Sequence, residues 1–218
     1  FLVTELRLAD HVALVLPTDD HVFTMAMSQT WVDIDQIDDE RSLGFGHLRR
    51  GQVHVETEVH GYQRRRAGTG EVLSSHMLEL PTQVLSTTGV WWSWPDHVVA
   101  LGGGDPAGSA HAAEHAAIGL LPLVAPCDRW DVGGLSTAHH PATGECTVFV
   151  YDGYPGGVGY THRGYVAAAQ WLGATARLLA NCPCTAGCPR CVQSPKCGNG
   201  NSPLDKVGAA GLLAALVS

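Results

Sequence analysis

Long hydrophobic runs are missing from this sequence, and charged residues are few. Only 16% of the 218 residues are charged and 45% are apolar, which is typical of a globular protein with a large buried fraction and not of a disordered chain. No segment approaches the roughly 18 uncharged apolar residues that cross a bilayer. Residues 1–10 also lack the basic and then apolar order of a secretion signal. We therefore expect a soluble cytoplasmic protein with no membrane partner.

Motifs for nucleotide hydrolysis are missing as well. The sequence contains neither the phosphate loop Gly-x-x-x-x-Gly-Lys-Ser/Thr nor an Asp-Glu-x-His box, so we expect no independent ATPase activity. It begins at Phe1 and not at Met, which favours a fragment of a longer protein. No catalytic residue is predicted for the fragment itself.

Acidic residues are concentrated near the N-terminus. Residues 1–40 contain nine carboxylates and one arginine, which accounts for the whole net charge of −8. A negative charge argues against nucleic-acid binding, since phosphate contacts require clustered Lys and Arg. Residues 151–218, however, contain five basic and two acidic residues. The C-terminal third is therefore compatible with DNA, while the acidic segment leaves open a module that binds a protein partner.

Several segments have the pattern of strands. Val53, Val55 and Val59 alternate with polar residues within 52–63, as in a strand with one buried and one solvated face. Turn-forming residues at 64–70 favour an antiparallel sheet or a partly closed barrel. Further strands are predicted at residues 12–17, 71–80, 84–94 and 146–153.

Helical periodicity appears in the second half of the chain. An alanine-rich segment predicts a helix over 106–121, and a longer helix is predicted to end near Asn181. A third helix is predicted with Ser202 as its N-cap and Pro203 as its first residue. Between the last two helices lies a segment that is rich in cysteine.

Five of the seven cysteines lie within sixteen residues. The two-residue gap between Cys188 and Cys191 lets a tight turn direct both sulfurs at one ion, and Cys182 and Cys184 project to the same side of an extended chain. Four thiolates without an open position favour one structural Zn²⁺ per chain. Cys197, six residues further on, is an alternative ligand in place of Cys182.

These elements together predict an α+β fold. Residues 1–95 are expected to form a β-rich antiparallel subdomain that connects to the rest, and residues 96–218 a mixed α/β subdomain. The four-cysteine zinc knuckle is predicted between the two C-terminal helices of the second subdomain.

Two other metal chemistries fit parts of the sequence and make a free-standing metalloenzyme the alternative function. Cys184, Cys188 and Cys191 have the spacing of radical enzymes that hold a four-iron cluster, although those enzymes need many strand and helix units after the motif. His111, Glu114 and His115 match the His-x-x-Glu-His pattern of inverted zinc peptidases. No recognisable third ligand accompanies them, so the polar face of a packed helix is the favoured interpretation.

Candidate DNA contacts come from basic and glycine-rich segments. The loop at 152–159 ends a strand and opens a helix, where backbone N–H groups can hold a phosphate, but a tight structural turn is the favoured interpretation. Trp92 and Trp94 share a strand face and are expected in the core and not stacked on bases. The candidate residues are Arg64, Arg65 and Arg66 at a predicted hairpin tip, Gly156 and Gly157, Arg190 and Lys196.

Three segments, taken in order, carry a resemblance to a known family: HAAEHAAIGLLPLVAPCDRWDVGGLST at 111–137, FVYDGYPGGVGYTHRGY at 149–165 and CPCTAGCPRCVQSPKCGNGNSPLDK at 182–206. They resemble the C-terminal zinc-binding domain of bacterial superfamily 2 DEAD/DEAH-box DNA helicases of the mitomycin repair factor A type. The preceding segment LGFGHLRRGQVHVETEVHGYQRRR is similar to the β-rich region that joins this domain to the helicase motor.

The resemblance implies a parent protein that couples ATP hydrolysis to 3′ to 5′ unwinding of DNA in repair. It implies Cys182, Cys184, Cys188 and Cys191 as zinc ligands and leaves the role of Cys197 open. The implied partners are single-stranded DNA and the helicase motor domains, whose motifs this sequence does not contain. The chain is thus expected to be an accessory domain without its ATPase.

Overall fold

Eight strands and five helices form the chain, in a computed structural model that describes residues 1–102 and 104–218. The strands are β1 (Leu2–Arg7), β2 (Val12–Leu16), β3 (Val22–Leu43), β4 (Gly46–Arg66), β5 (Val72–Met77), β6 (Gln83–Trp94), β7 (Val132–Thr137) and β8 (Cys146–Asp152). The helices are α1 (Asp96–Leu101), α2 (Pro106–Leu120), α3 (Tyr160–Val166), α4 (Ala168–Asn181) and α5 (Lys206–Leu216). Among the residues described, no helix is both long and apolar enough to span a bilayer.

The chain divides into two compact units. The first contains Phe1–Ser28 and Val59–Leu80. Within it β1 pairs with β2, and the last part of β4 pairs with β5, both in antiparallel fashion. The second unit contains Gln29–Glu58 and Pro81–Ser218. The predicted boundary between residues 95 and 96 falls inside the second unit, and this division stays a prediction.

The second unit is built on a sheet with the strand order β3-β4-β6-β8-β7. Each of the pairs β4/β6, β6/β8 and β7/β8 is antiparallel. Because side chains alternate along a strand, neighbouring residues of β6 enter different cores. Trp92 and Trp94 pack in a core with residues of α2, α4 and α5, whereas Trp91 packs with Phe149 in a smaller core. Both faces of the sheet are therefore buried around β6.

Trp92 and Trp94 of β6 are core residues, as the sequence predicts. Trp91, Trp92 and Trp94 are all fully buried. Trp92 lies edge-on to Trp171 of α4, with ring centroids 5.5 Å apart, and the Trp171 indole N–H donates to the carbonyl of Ala117 in α2 at 2.8 Å. The α4 and α2 helices are thereby fixed to each other and to the sheet, which positions the loop that follows α4.

The predicted α+β class is confirmed, and the cysteine-rich segment does lie between two helices, α4 and α5. Two of the predicted helices differ from the sequence prediction. The long helix that ends at Asn181 is divided in two at Ala167. The last helix begins at Lys206 and not at Pro203, because the Asp205 side chain accepts the N–H of Gly208 at 2.9 Å and caps the helix there.

Candidate metal centre

Four cysteine sulfurs converge in the loop between α4 and α5. The Sγ atom of Cys182 lies 3.5 Å from that of Cys184 and 3.7 Å from that of Cys188. The Sγ atom of Cys191 lies 3.4 Å from that of Cys184 and 3.6 Å from that of Cys188. Four thiolates around one Zn²⁺ at about 2.3 Å form a tetrahedron with edges of about 3.8 Å. These four residues, the four-cysteine cluster, therefore have a spacing that fits zinc.

Local backbone geometry brings the cysteines together. Cys182 ends α4 in an extended conformation, which turns the chain back toward the following residues. The N–H groups of Cys191 and Val192 donate to the carbonyl of Cys188, and the N–H of Cys188 donates to the Sγ of Cys191 at 3.3 Å. Gly187 has a φ of +110°, and a Cβ there would lie 2.4 Å from Val192 Cγ2. This position therefore requires glycine.

A buried lysine supports the cluster from α5. Lys206 is only 8% exposed. Its ammonium donates to the carbonyl of Cys182 at 2.8 Å and to the carbonyl of Cys184 at 2.5 Å. The lysine therefore orients the backbone of the first two cysteines and places a positive charge beside sulfurs that become anionic when they bind a metal. A single lysine at a helix start carries no sequence signal for this role, and the sequence analysis did not identify it.

Proton sharing among the four thiols favours the binding of a cation. Although burial raises it, the pKa of Cys184 is lowered to about 6 by hydrogen bonds with Cys191, Cys182 and Cys188. Burial raises the pKa of Cys191 to about 12. One thiolate is therefore stabilised at the expense of its neighbours. A divalent cation removes this competition, because it binds all four sulfurs as thiolates.

Cys197 lies apart from the four-cysteine cluster. Its Sγ lies 3.5 Å from Nε2 of His111, and the ligand atoms of Cys197, His111 and His115 all lie within 4.8 Å of one another. The sequence alternative in which Cys197 replaces Cys182 therefore has no support in the geometry, because Cys182 occupies that place. More than eighty residues separate Cys197 from the histidines in the sequence, so no local pattern could predict this grouping.

The His-x-x-Glu-His pattern does not form a single site. Glu114 is buried and accepts a hydrogen bond from the Ser136 hydroxyl at 2.7 Å, and it is not among the groups that converge with the two histidines. Burial raises the pKa of Glu114 to about 7. Burial also lowers the pKa of His115 to about 4, so its imidazole is neutral at neutral pH. The peptidase alternative, which needs this glutamate beside the metal, is not supported.

The glycine loop after β8 is organised by Asp152. This side chain is fully buried, and it accepts the backbone N–H groups of Val158, Gly159 and Thr161 at 2.6, 2.7 and 2.9 Å. Gly156 and Gly157 donate their own N–H groups to the carbonyls of Ser86 and Tyr154. The donors that the sequence assigned to a DNA phosphate are thus engaged within the fold.

The basic residues that are candidates for DNA contact differ in whether their side chains have partners within the fold. In the first unit Arg65 donates to Gln63 and Arg66 to Glu71, while Arg64 is exposed. All three lie at the end of β4 that leads into the turn before β5.

The two candidates beside the cysteines also differ. In the second unit Arg190 is exposed. Lys196 is engaged, because its ammonium donates to the carbonyls of Arg129 and Val132 at 3.0 and 2.7 Å and lies 5.1 Å from the ring centroid of Trp130. Arg64 and Arg190 therefore present the most accessible charges of the candidate set.

The sequence is similar to a family of zinc-binding domains and to part of a helicase. Residues 113–192 match the profile of the family described as the MrfA Zn-binding domain. The chain is 27% identical over 184 residues to the uncharacterized ATP-dependent helicase YprA of Bacillus subtilis (strain 168), a match that covers 83% of this chain and 24% of the helicase. It is 36% identical over 111 residues to an uncharacterized protein of Methanocaldococcus jannaschii, which covers 50% of this chain and 99% of that relative.

Solved structures show the same fold. The crystal structure of the DUF1998 helicase MrfA bound to DNA is 23% identical, with a TM-score of 0.65, and the match covers 98% of this chain and 28% of that one. A crystal structure of the helicase bound to DNA and AMPPNP is 25% identical, with a TM-score of 0.53, and the match covers 87% of this chain and 23% of that one. The chain therefore spans about a quarter of the helicases that it resembles.

Proposed function

Because the chain belongs to the family of the MrfA Zn-binding domain, we propose that it is the C-terminal accessory domain of an ATP-dependent DNA helicase. In this proposal one structural zinc ion in the four-cysteine cluster holds the domain rigid beside the motor. The domain contacts and guides single-stranded DNA while the motor domains hydrolyse ATP and unwind DNA in the 3′ to 5′ direction during repair. The domain itself performs no catalysis.

The observation that carries the proposal is the convergence of four thiols within a segment shared with the helicase family. All-sulfur coordination leaves no position for water or substrate, which is typical of structural and not catalytic zinc. The loop between α4 and α5 contains no regular secondary structure. No strand or helix therefore stabilises this loop by its hydrogen bonds. In the proposal, the metal-bound cluster links α4 to α5 instead.

Contact with DNA is supported by the relatives and by the exposed cations. MrfA has been solved with DNA bound. Arg64 in the first unit and Arg190 in the second are exposed, and guanidinium groups bind phosphate well because they present a planar set of donors. Lys196, Arg65 and Arg66 have partners within the fold and are weaker candidates. Any contact at Gly156 or Gly157 would have to use groups other than their engaged N–H donors.

Replacing Arg190 or Arg64 by alanine is expected to weaken binding of a labelled single-stranded oligonucleotide. Each phosphate contact that is lost should reduce the slope of log affinity against log salt by about 0.7. We would measure this by fluorescence anisotropy at several salt concentrations, and we expect weak binding in the absence of the motor. Arg177→Ala, which removes an exposed cation of α4, is the matched control. Absence of binding at low salt, or equal slopes in all variants, would count against a DNA-contacting domain.

Replacing Lys206 by methionine is expected to weaken zinc binding to the four-cysteine cluster. The variant keeps the volume of the side chain but leaves the carbonyls of Cys182 and Cys184 without their donor. Loss of such a supporting hydrogen bond lowers metal affinity by about 10- to 100-fold. Competition with a chromophoric chelator measures the change. The control is Arg177→Met, since that side chain is exposed, and equal affinities for both variants would show that Lys206 has no supporting role.

A further inference from the structure

A second group of metal-binding side chains lies outside the four-cysteine cluster. His111 and His115 are one turn apart on α2, and their ring centroids are 4.3 Å apart. Cys197, from the loop between α4 and α5, places its Sγ 3.5 Å from Nε2 of His111. The ligand atoms of all three lie within 4.8 Å of one another. Two imidazoles and one thiol thus converge from two separate parts of the chain.

Each of the two histidines uses Nδ1 for a hydrogen bond to the backbone, which leaves Nε2 available to bind a metal. Nδ1 of His111 lies 2.8 Å from the carbonyl oxygen of Pro203, and Nδ1 of His115 lies 2.7 Å from that of Val192. A carbonyl oxygen can only accept, so each Nδ1 carries the proton. In a neutral imidazole the Nε2 atom then holds a lone pair. A backbone carbonyl bound to the opposite ring nitrogen is the usual arrangement of a histidine that binds a metal.

The thiol of Cys197 is also held in position by its surroundings. The backbone N–H of Asn201 donates to the Sγ of Cys197 at 3.2 Å, which orients the sulfur. The Asn201 side chain accepts the N–H of Ser194 at 2.7 Å and donates to the carbonyl of Ser194 at 3.1 Å. These two bonds close a small loop around Cys197 and fix the position of its sulfur.

We propose that His111, His115 and Cys197 form a second metal site, which binds a divalent transition-metal ion such as Zn²⁺. Two nitrogens and one thiolate suit zinc. Three protein ligands leave the fourth position to a water molecule, since Cys197 is only partly buried. Glu114 hydrogen-bonds to Ser136, so the site lacks the general base of a peptidase. The ion would fasten the loop around Cys197 to α2, whereas the four-cysteine cluster fastens the loop to α4.

X-ray absorption of the zinc-saturated chain tests the proposal without any mutation. With both sites filled, the average zinc ion is bound by sulfur and by imidazole nitrogen, and elemental analysis after desalting gives two zinc ions per chain. If only the four-cysteine cluster binds, the spectrum contains sulfur ligands alone and the content is one zinc ion per chain. The second result would overturn the proposal.

Variants then assign the second ion to these residues. His111→Ala and Cys197→Ser are each expected to lower the zinc content from two ions to one, and the remaining ion should show sulfur ligands only. His139→Ala, at an exposed histidine, and Cys127→Ser, at a thiol in neither cluster, should retain two. Two ions in both ligand variants would overturn the assignment. If a variant does not fold, the spectrum of the unmodified chain still decides.

Discussion

Replacing Cys188 by serine is expected to release zinc from the four-cysteine cluster and to unfold the C-terminal third of the chain. Cys188 is in sulfur contact with Cys182 and Cys191, and its carbonyl accepts the N–H groups that form the turn. Loss of a structural metal is among the few single changes that cost about 4 kcal/mol or more. For a chain of this size, such a cost lowers Tm by roughly 8–16 °C.

Elemental analysis and calorimetry on the same preparation measure this effect. Cys127→Ser removes a thiol that belongs to neither cluster, and it should leave metal content and Tm close to those of the parent chain. A chelator should lower the Tm of the parent chain but have little further effect on Cys188→Ser. A brown preparation that contains iron, or a variant with unchanged zinc and Tm, would refute a structural zinc at this cluster.

Replacing Asp152 by alanine is expected to destabilise the second unit by at least about 3 kcal/mol. The carboxylate accepts three backbone N–H groups while fully buried, and each buried donor left without a partner costs about 1–3 kcal/mol. The glycine loop and the start of α3 depend on these bonds, because the residue that precedes α3, Gly159, provides no side-chain cap.

Urea unfolding of the zinc-saturated protein measures this change. Asp152→Asn keeps one acceptor oxygen but turns the other into an amide donor, so its stability should fall between those of the alanine variant and the parent. Asp35→Ala, at an exposed position, is the matched control. A cost below about 1 kcal/mol for Asp152→Ala, within the range of ordinary surface changes, would show that the loop does not depend on the carboxylate.

Local sequence patterns predicted the parts of the fold that local physics determines. Alternation at Val53 and Val55 marked β4, since both side chains are buried on one face. The alanine-rich segment indicated α2, and the structure shows that the Asp105 side chain caps this helix. The cysteine spacing indicated the four-cysteine cluster because its members are close in sequence and fold around a single turn.

The other parts of the fold and of the candidate sites depend on contacts between residues that are far apart in the sequence. The strand β3 is acidic and mostly exposed, so its hydrophobic pattern is too weak to identify it, and its place beside β4 is set by pairing. The sequence indicated Ser202 as the cap of the last helix, but Asp205 is the cap, and its carboxylate also accepts a hydrogen bond from the Ser109 hydroxyl of α2 at 3.2 Å. The approach of Cys197 to His111 follows from the packing of α5 and its preceding loop against α2. No short segment of the sequence contains both residues, so no local pattern predicts this contact.

The distribution of indole rings has a practical consequence. Trp91, Trp92, Trp94 and Trp171 are fully buried, whereas Trp130 is 68% exposed and Trp31 40% exposed. Iodide in solution reaches exposed indole rings and not buried ones. It should therefore quench the fluorescence of Trp130 and Trp31 selectively. The Trp130 ring lies under the ammonium of Lys196, next to Cys197 in the chain. A change in the position of the cysteine-rich loop should therefore change the fluorescence of Trp130, and this can be measured without an attached dye.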